Sequence, residues 1–330
     1  MLRVLALALL PVAAQAGVTE AVKGHVLPGL DAFALAAGAL AGAAEGTCDP
    51  AALDAPYQAA WDAWGPVADV RLGPSEAASL SIAFWPDERG AGPRALAGLV
   101  AAADPAALAP EAYAEQSVAA RGLLALDQLL HGDLAEEVGQ GGYACDLVGA
   151  VARDLAAQAA GLRAAWDAEA EALLTAGAPG NARYLSEDEA FRALYTQVLG
   201  GLEVTADARL GRPMGEFDRP RPTRAQAWRS GRPLREVVAS VEASVRLARA
   251  IAAPEGEGEA ALPATQGALE AVRTAAAAID DPSFQDASDP QARLKLEILQ
   301  GRVRALRDAV EAEVGAPRGI EAGFNSTDGD

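Results

Sequence analysis

Asp127 and His131 are the pair whose types and spacing best suit a metal ion, because residues at i and i+4 share one helix face. The plainer reading of the same pair is a histidine at a helix end beside a surface carboxylate. The only other histidine, His25, stands three residues before Pro28 on an apolar stretch, where packing or capping accounts for it. There is no His-Glu-x-x-His pair, no Gly-x-Ser-x-Gly elbow and no Gly-x-x-x-x-Gly-Lys loop, so nucleophilic triads have almost nothing to work with. Arg229, Ser230 and Arg232 follow Trp228; their two guanidinium groups either bind a carboxylate or phosphate or tie helix ends to nearby acids. Trp61, Trp64, Phe84 and Trp85 carry most of the large aromatic area of the first half, either as core or, at Trp85, as a ligand-facing wall. At the C-terminus, Phe324 is followed by Asn325, Asp328 and Asp330, an aromatic anchor with oxygen ligands for a hard cation or else a frayed acidic end.

Helices must position these groups. Alanine is about a quarter of the 330 residues and aromatics are 5%, a composition that favours helices in close contact and starves sheet of its preferred residues. Apolar spacing predicts a helix from Val18 to about Cys48 with a kink at Pro28, and a second from about Pro50 to Val70. A short third begins at Ser75 and stops before Pro86, and a fourth runs from Pro110 to Leu130 and closes at Gly132. The longest helix spans about Tyr143 to Thr175. Gly177-Ala178-Pro179-Gly180-Asn181 then punctuates the chain, and further helices are predicted over 186–209, 232–253, 262–279 and 288–314. Residues 211–233, rich in Arg, Pro and Gly, read as an irregular crossing segment, and Pro254–Glu259 as a solvated loop. The expectation is an all-α chain of two helical-bundle domains, 17–180 and 181–330, with a cleft between them.

Residues 1–16 have the parts of a secretory signal peptide: Arg3, an apolar run from Val4 to Leu10, and Ala14-Gln15-Ala16 before Gly17. That run is too short to span a bilayer, and no later stretch of 18 uninterrupted apolar residues follows, so the reading is an exported, periplasmic protein without a transmembrane segment after signal removal. In that compartment Cys48 and Cys145 are candidates for a disulfide; the alternative is two buried thiols. A net charge of −19, with 46 acidic and 27 basic residues, argues against nucleic acid as a partner.

The order of several short motifs resembles the imelysin family, which includes an insulin-cleaving membrane protease and iron-regulated proteins. They are His25-Val26-Leu27-Pro28, Gly73-Pro74, Phe84-Trp85-Pro86-Asp87, Gly122 to Asp127 with Leu129-Leu130, and Tyr143-Ala144-Cys145. Pro213-Met214-Gly215, Trp228-Arg229-Ser230 and the terminal Gly-Phe-Asn-x-x-Asp-Gly-Asp complete the set. The resemblance covers nearly the whole mature chain and implies two helical bundles with a site between them. It also implies a Gly-x-His-x-x-Glu motif, but here Gly122 is followed by Leu124 where the His would stand and by Asp127 where the Glu would stand. A single carboxylate is too little for zinc. The expected function is therefore a non-enzymatic binding or accessory role in periplasmic iron or metal acquisition. Its ligand would be a divalent metal, an iron complex or a partner protein, in a cleft bearing Gly122, Asp127, Trp85, Arg229, Ser230, Asn325, Asp328 and Asp330. The alternative is a metal-dependent peptidase with a remodelled site using Asp127, His131 and further acids.

Overall fold

The computed structural model describes residues 17–253 and 259–320, and among these every regular element is helical. Residues 1–16, most of the loop after Ala253, and the tail with Asn325, Asp328 and Asp330 lie outside the described residues. Helix α1 (Gly17–Gly46) comes first among the described residues, followed by α2 (Pro50–Trp64), α3 (Pro74–Ile82), α4 (Ala91–Ala102) and α5 (Gly122–His131). Then come α6 (Tyr143–Leu174), α7 (Glu187–Glu203), α8 (Pro233–Ile251), α9 (Pro263–Ala277) and α10 (Pro290–Val310).

Local chemistry sets many of these boundaries. Asp49 caps α2, its carboxylate accepting from Ala51 N at 3.1 Å with Pro50 in the first turn. Ser186 caps α7 through Glu189 N (3.2 Å), while Glu189 reaches back to Leu185 N (2.6 Å). Asp289 caps α10 through Gln291 N and Ala292 N. Each cap satisfies donors that a helix start leaves unpaired. The kink expected at Pro28 takes the form of a wider π turn over Ala21–Val26, immediately before the proline that removes a helical donor.

Two expectations need correction. The single helix predicted over 110–130 is broken: Pro110–Ala114 makes one turn, Val118–Ala120 a 3-10 turn, and α5 begins only at Gly122. Gly122 has φ +71°, which stops a helix from running through it. Helix α4 was not foreseen; Gly90 and Pro93 resemble loop punctuation, yet Gly90 takes a left-handed conformation before the helix and Pro93 sits in its first turn.

Helix α1 packs along both α2 and α6, burying Leu30, Phe33, Ala37 and Leu40 at helical spacing. Although no 18 uninterrupted apolar residues occur there, α1 is long and apolar enough to cross a membrane. Its buried stripe serves the core, while Leu35 on the other face is 77% exposed. Cys48, just after α1, is joined by a disulfide to Cys145 in the first turn of α6, with Cα atoms 5.2 Å apart. Helices α3 and α5 also pack on α6, and α5 touches α2 and α4. In the second half α9 pairs with α10, and α7 packs against α8 and α10. Helix α8 also contacts the start of α1 and the turn Gly65–Val67, so buried side chains from both halves of the chain join one continuous core.

Candidate functional site

The start of α5 is seated by a close backbone approach. A Cβ on Gly122 would stand 2.2 Å from the Ile82 carbonyl oxygen and 2.4 Å from that of Ser81, at the end of α3. Only glycine fits there, and α5 is thereby held against α3. From that start Leu123, Leu126, Leu129 and Leu130 enter the core, while Leu124 and Asp127, one helical turn apart, line a cleft of about 360 Å³.

Asp127 is only 1% exposed, and its hydrogen bonds converge on one oxygen. Oδ1 accepts from Ser230 Oγ at 2.5 Å, from Ser230 N at 3.2 Å and from the Tyr57 hydroxyl at 3.2 Å. Tyr57 and Ser230 are themselves 3.2 Å apart, closing a triangle between α2, α5 and the crossing segment. Among the described residues Oδ2 has no such partner, and the carboxyl belongs to the cleft wall. Burial pushes the Asp127 carboxyl above the ordinary range, against the opposing effects of the Ser230 hydrogen bond and the charges of Arg229 and His131. The buried Tyr57 hydroxyl is pushed well above its usual value by the same desolvation and by Asp127.

The opposite wall is built by two loops. The Phe84–Asp87 loop follows α3 and includes a cis Trp85–Pro86 peptide. Trp85 Nε1 donates to the Arg224 carbonyl at 3.2 Å, joining this loop to the crossing segment. Asp87 is occupied in capping α4, accepting from Ala91 N and Gly92 N at 2.8 Å each. From the crossing segment Arg212, Arg221, Arg224, Trp228 and Arg229 reach the same cleft. Arg212 is paired with Glu88, and the Arg229 guanidinium lies 4.4 Å over the Trp228 ring.

The two guanidiniums flanking Ser230 divide the two roles that the sequence left open. Arg232 is buried and tied to Glu236 (2.7 Å), Asp62 (2.8 Å) and Gln58, which anchors the crossing segment to α2. Arg229 lines the cleft and has no ion pair among the described residues. His131 turns elsewhere: its Nε2 is 3.4 Å from Asp54 Oδ1, its ring is 5.2 Å from that of Tyr57, and it is not a lining residue. Among the described residues no group of three or more His, Cys, Asp and Glu side chains could hold a metal ion. The structure thus brings Trp85, Asp127 and Arg229 to one cleft, with Ser230 bonded to Asp127; Gly122 seats the start of α5 but, like Ser230, is not a lining residue. Asn325, Asp328 and Asp330 lie outside the described residues.

Tyr57, Arg221 and Arg224 were not singled out in advance. Tyr57 is masked by the tryptophans of its own helix. The arginines did leave a signal, since eight of the 27 basic residues of this acidic chain fall between Arg209 and Arg235.

A peptidase family model described as Imelysin matches residues 26–310. Among solved structures, an imelysin-like protein from Psychrobacter arcticum 273-4 superposes with a TM-score of 0.74 at 18% identity, over 97% of this chain and all of that one. A protein from Parabacteroides distasonis ATCC 8503, described as an iron-regulated protein A precursor, gives 0.69 at 14% identity, over 91% of this chain and 95% of its own. At these identities the likeness is one of fold. No curated protein sequence gives a significant match.

Proposed function

Since the chain belongs to the imelysin family, we propose that it is an exported, non-enzymatic binding protein whose ligand occupies the Asp127–Trp85–Arg229 cleft and which serves iron or metal acquisition in the periplasm. One observation carries the reading. Leu124 and Asp127 face the cleft together, at the positions that correspond to the family's His and Glu. The site therefore keeps the family's location while offering an isobutyl group and one buried acid where paired ligands would be required for metal-assisted hydrolysis. What remains in the walls is binding chemistry: tryptophan faces, guanidinium groups and a fixed Tyr57–Asp127–Ser230 triangle.

The Cys48–Cys145 bridge supports export, since structural disulfides persist in oxidising compartments, as do the signal-like residues 1–16. The iron connection rests on the description of the Parabacteroides protein. The test combines two arms. Protein recovered from periplasm without chelator is incubated with insulin, with and without added Zn²⁺, and a strain lacking the chain is grown under iron limitation. Intact insulin and a growth defect are expected. Cleavage that disappears in Asp127→Asn would refute a non-enzymatic role, and normal growth would refute the role in acquisition.

A further inference from the structure

We propose that the cleft is a receptor for a small polyanion, a ligand carrying two or more carboxylate or phosphate groups held by Arg221, Arg224 and Arg229. This rests on the reading of the cleft as the ligand site and adds the chemical class of the ligand.

The pairing of arginines across the molecule points there. Most half-buried or buried arginines are matched: Arg121 with Asp154, Arg209 with Asp69, Arg232 with Asp62 and Glu236, Arg293 with Glu297. Among the described residues the unmatched ones are mainly exposed, as at Arg71, Arg153 and Arg192. Arg221, Arg224 and Arg229 differ, because each is half-buried, lines one cleft and has, among the described residues, neither an ion pair nor a hydrogen bond from its side chain. Arg318 is also half-buried, but it lies over the Phe191 ring (3.9 Å) away from the cleft and is not one of its lining residues.

The acids nearby do not fill the gap. Asp87 is consumed in capping α4, Glu88 pairs with Arg212, and Asp127 directs its hydrogen-bonded oxygen toward Ser230 and Tyr57. Asp127 feels the charge of Arg229 but makes no ion pair with it. A guanidinium removed partly from water without an ion-pair partner is costly, and a bound oxyanion would supply both charge and forked hydrogen bonds. The cluster also runs against the net charge of −19, so it is not an extension of a generally basic surface. Three separate guanidiniums suit several anionic groups on one ligand, and Phe84, Trp85 and Leu124 supply apolar contact for its carbon skeleton.

Titration calorimetry on the intact purified chain tests this with citrate, inorganic phosphate and acetate. Citrate or phosphate should bind, more weakly at high salt, with acetate far weaker than either. Preference for citrate identifies carboxylates as the source of the charge, and preference for phosphate identifies phosphoryl groups. Arg221→Ala, Arg224→Ala and Arg229→Ala should each weaken binding roughly tenfold or more, because each removes charge-assisted hydrogen bonds. Arg318→Ala should leave it unchanged. Among the described residues Arg221 and Arg224 hold no side-chain partner and Arg229 only leans on the Trp228 ring, so the variants should keep the parent's helical circular dichroism. Absence of binding by both citrate and phosphate at millimolar concentration, or affinity unaltered in the triple variant, would overturn the proposal. Normal growth under iron limitation alongside arginine-dependent citrate binding would remove the acquisition role and leave the receptor standing.

Discussion

Replacing Gly122 by alanine tests how the site is held in place. The substitution meets two separate penalties. At φ +71° a side chain is strained, which costs on the order of 1–3 kcal/mol. The new methyl group would also sit 2.2 and 2.4 Å from two carbonyl oxygens, and because both belong to backbone the start of α5 must move away from α3. Gly142 separates the two contributions: its φ is also +71°, but a Cβ there meets nothing within 4 Å. Gly142→Ala should therefore cost about 1–2 kcal/mol, as strain alone. Gly122→Ala should cost about 3–5 kcal/mol, in the range reserved for changes with a definite steric cause. Urea denaturation followed by circular dichroism measures both as shifts in midpoint at constant slope. Displacement of α5 should also carry Asp127 away from Ser230, so ligand affinity falls in Gly122→Ala and not in Gly142→Ala. Equal destabilisation by the two variants would refute the close approach as the reason for glycine at 122.

Removing the disulfide by Cys48→Ser with Cys145→Ser should lower stability by about 2–5 kcal/mol, since the bridge closes a long segment with a sequence separation of 97 residues; thermal melts measure this, and denatured, unreduced parent protein should present no labelled thiol. His25 is held down to about 4 by burial and by the charge of Arg246, partly opposed by its 3.1 Å hydrogen bond to the Pro66 carbonyl. The unfolded chain then takes up a proton that the folded one refuses, so stability should fall by about 3 kcal/mol as pH drops from about 6.5 toward 4, a slope that urea titrations would find missing in His25→Gln. Asp127 has the opposite sign: its folded carboxyl is raised, so its ionisation opposes folding as pH increases, and Asp127→Asn should lack that decline. The same variant should bind citrate at least as tightly as the parent, whereas weaker binding would mean that the carboxylate is itself a ligand.

The long elements were legible because their signals are local. Helix α6 has unbroken spacing over 32 residues, and α7 and α10 announce themselves by Ser186 and Asp289. The break between Pro110 and Gly122 was not, since the conformation of Gly122 makes sense only once Ser81 and Ile82 arrive from α3, some forty positions earlier. Helix α4 was hidden for a related reason: Gly90 and Pro93 are breakers inside a helix and acceptable at its start, and the sequence alone does not say which applies.

The site follows the same division. Asp127 could be found from the leucine stripe beside it, because the phase of a helix decides which neighbours face the core. Arg229 and Arg232 could not be told apart, being the same residue type three positions apart around Ser230. Their fates diverge through what lies opposite. Arg232 stands at the start of α8, one turn before Glu236 and against Asp62 of α2, and is consumed as an anchor. Arg229 precedes the left-handed turn at Gly231, leans on Trp228 and meets a cleft instead of an ion-pair partner. The anchor is what fixes Ser230, Ser230 is what engages Asp127, and the unspent guanidinium is thereby held beside a buried carboxyl whose free oxygen belongs to the same wall. A structural ion pair and a binding group thus come from one Arg-Ser-Gly-Arg segment, and the difference between them is created by tertiary contacts that no spacing rule encodes.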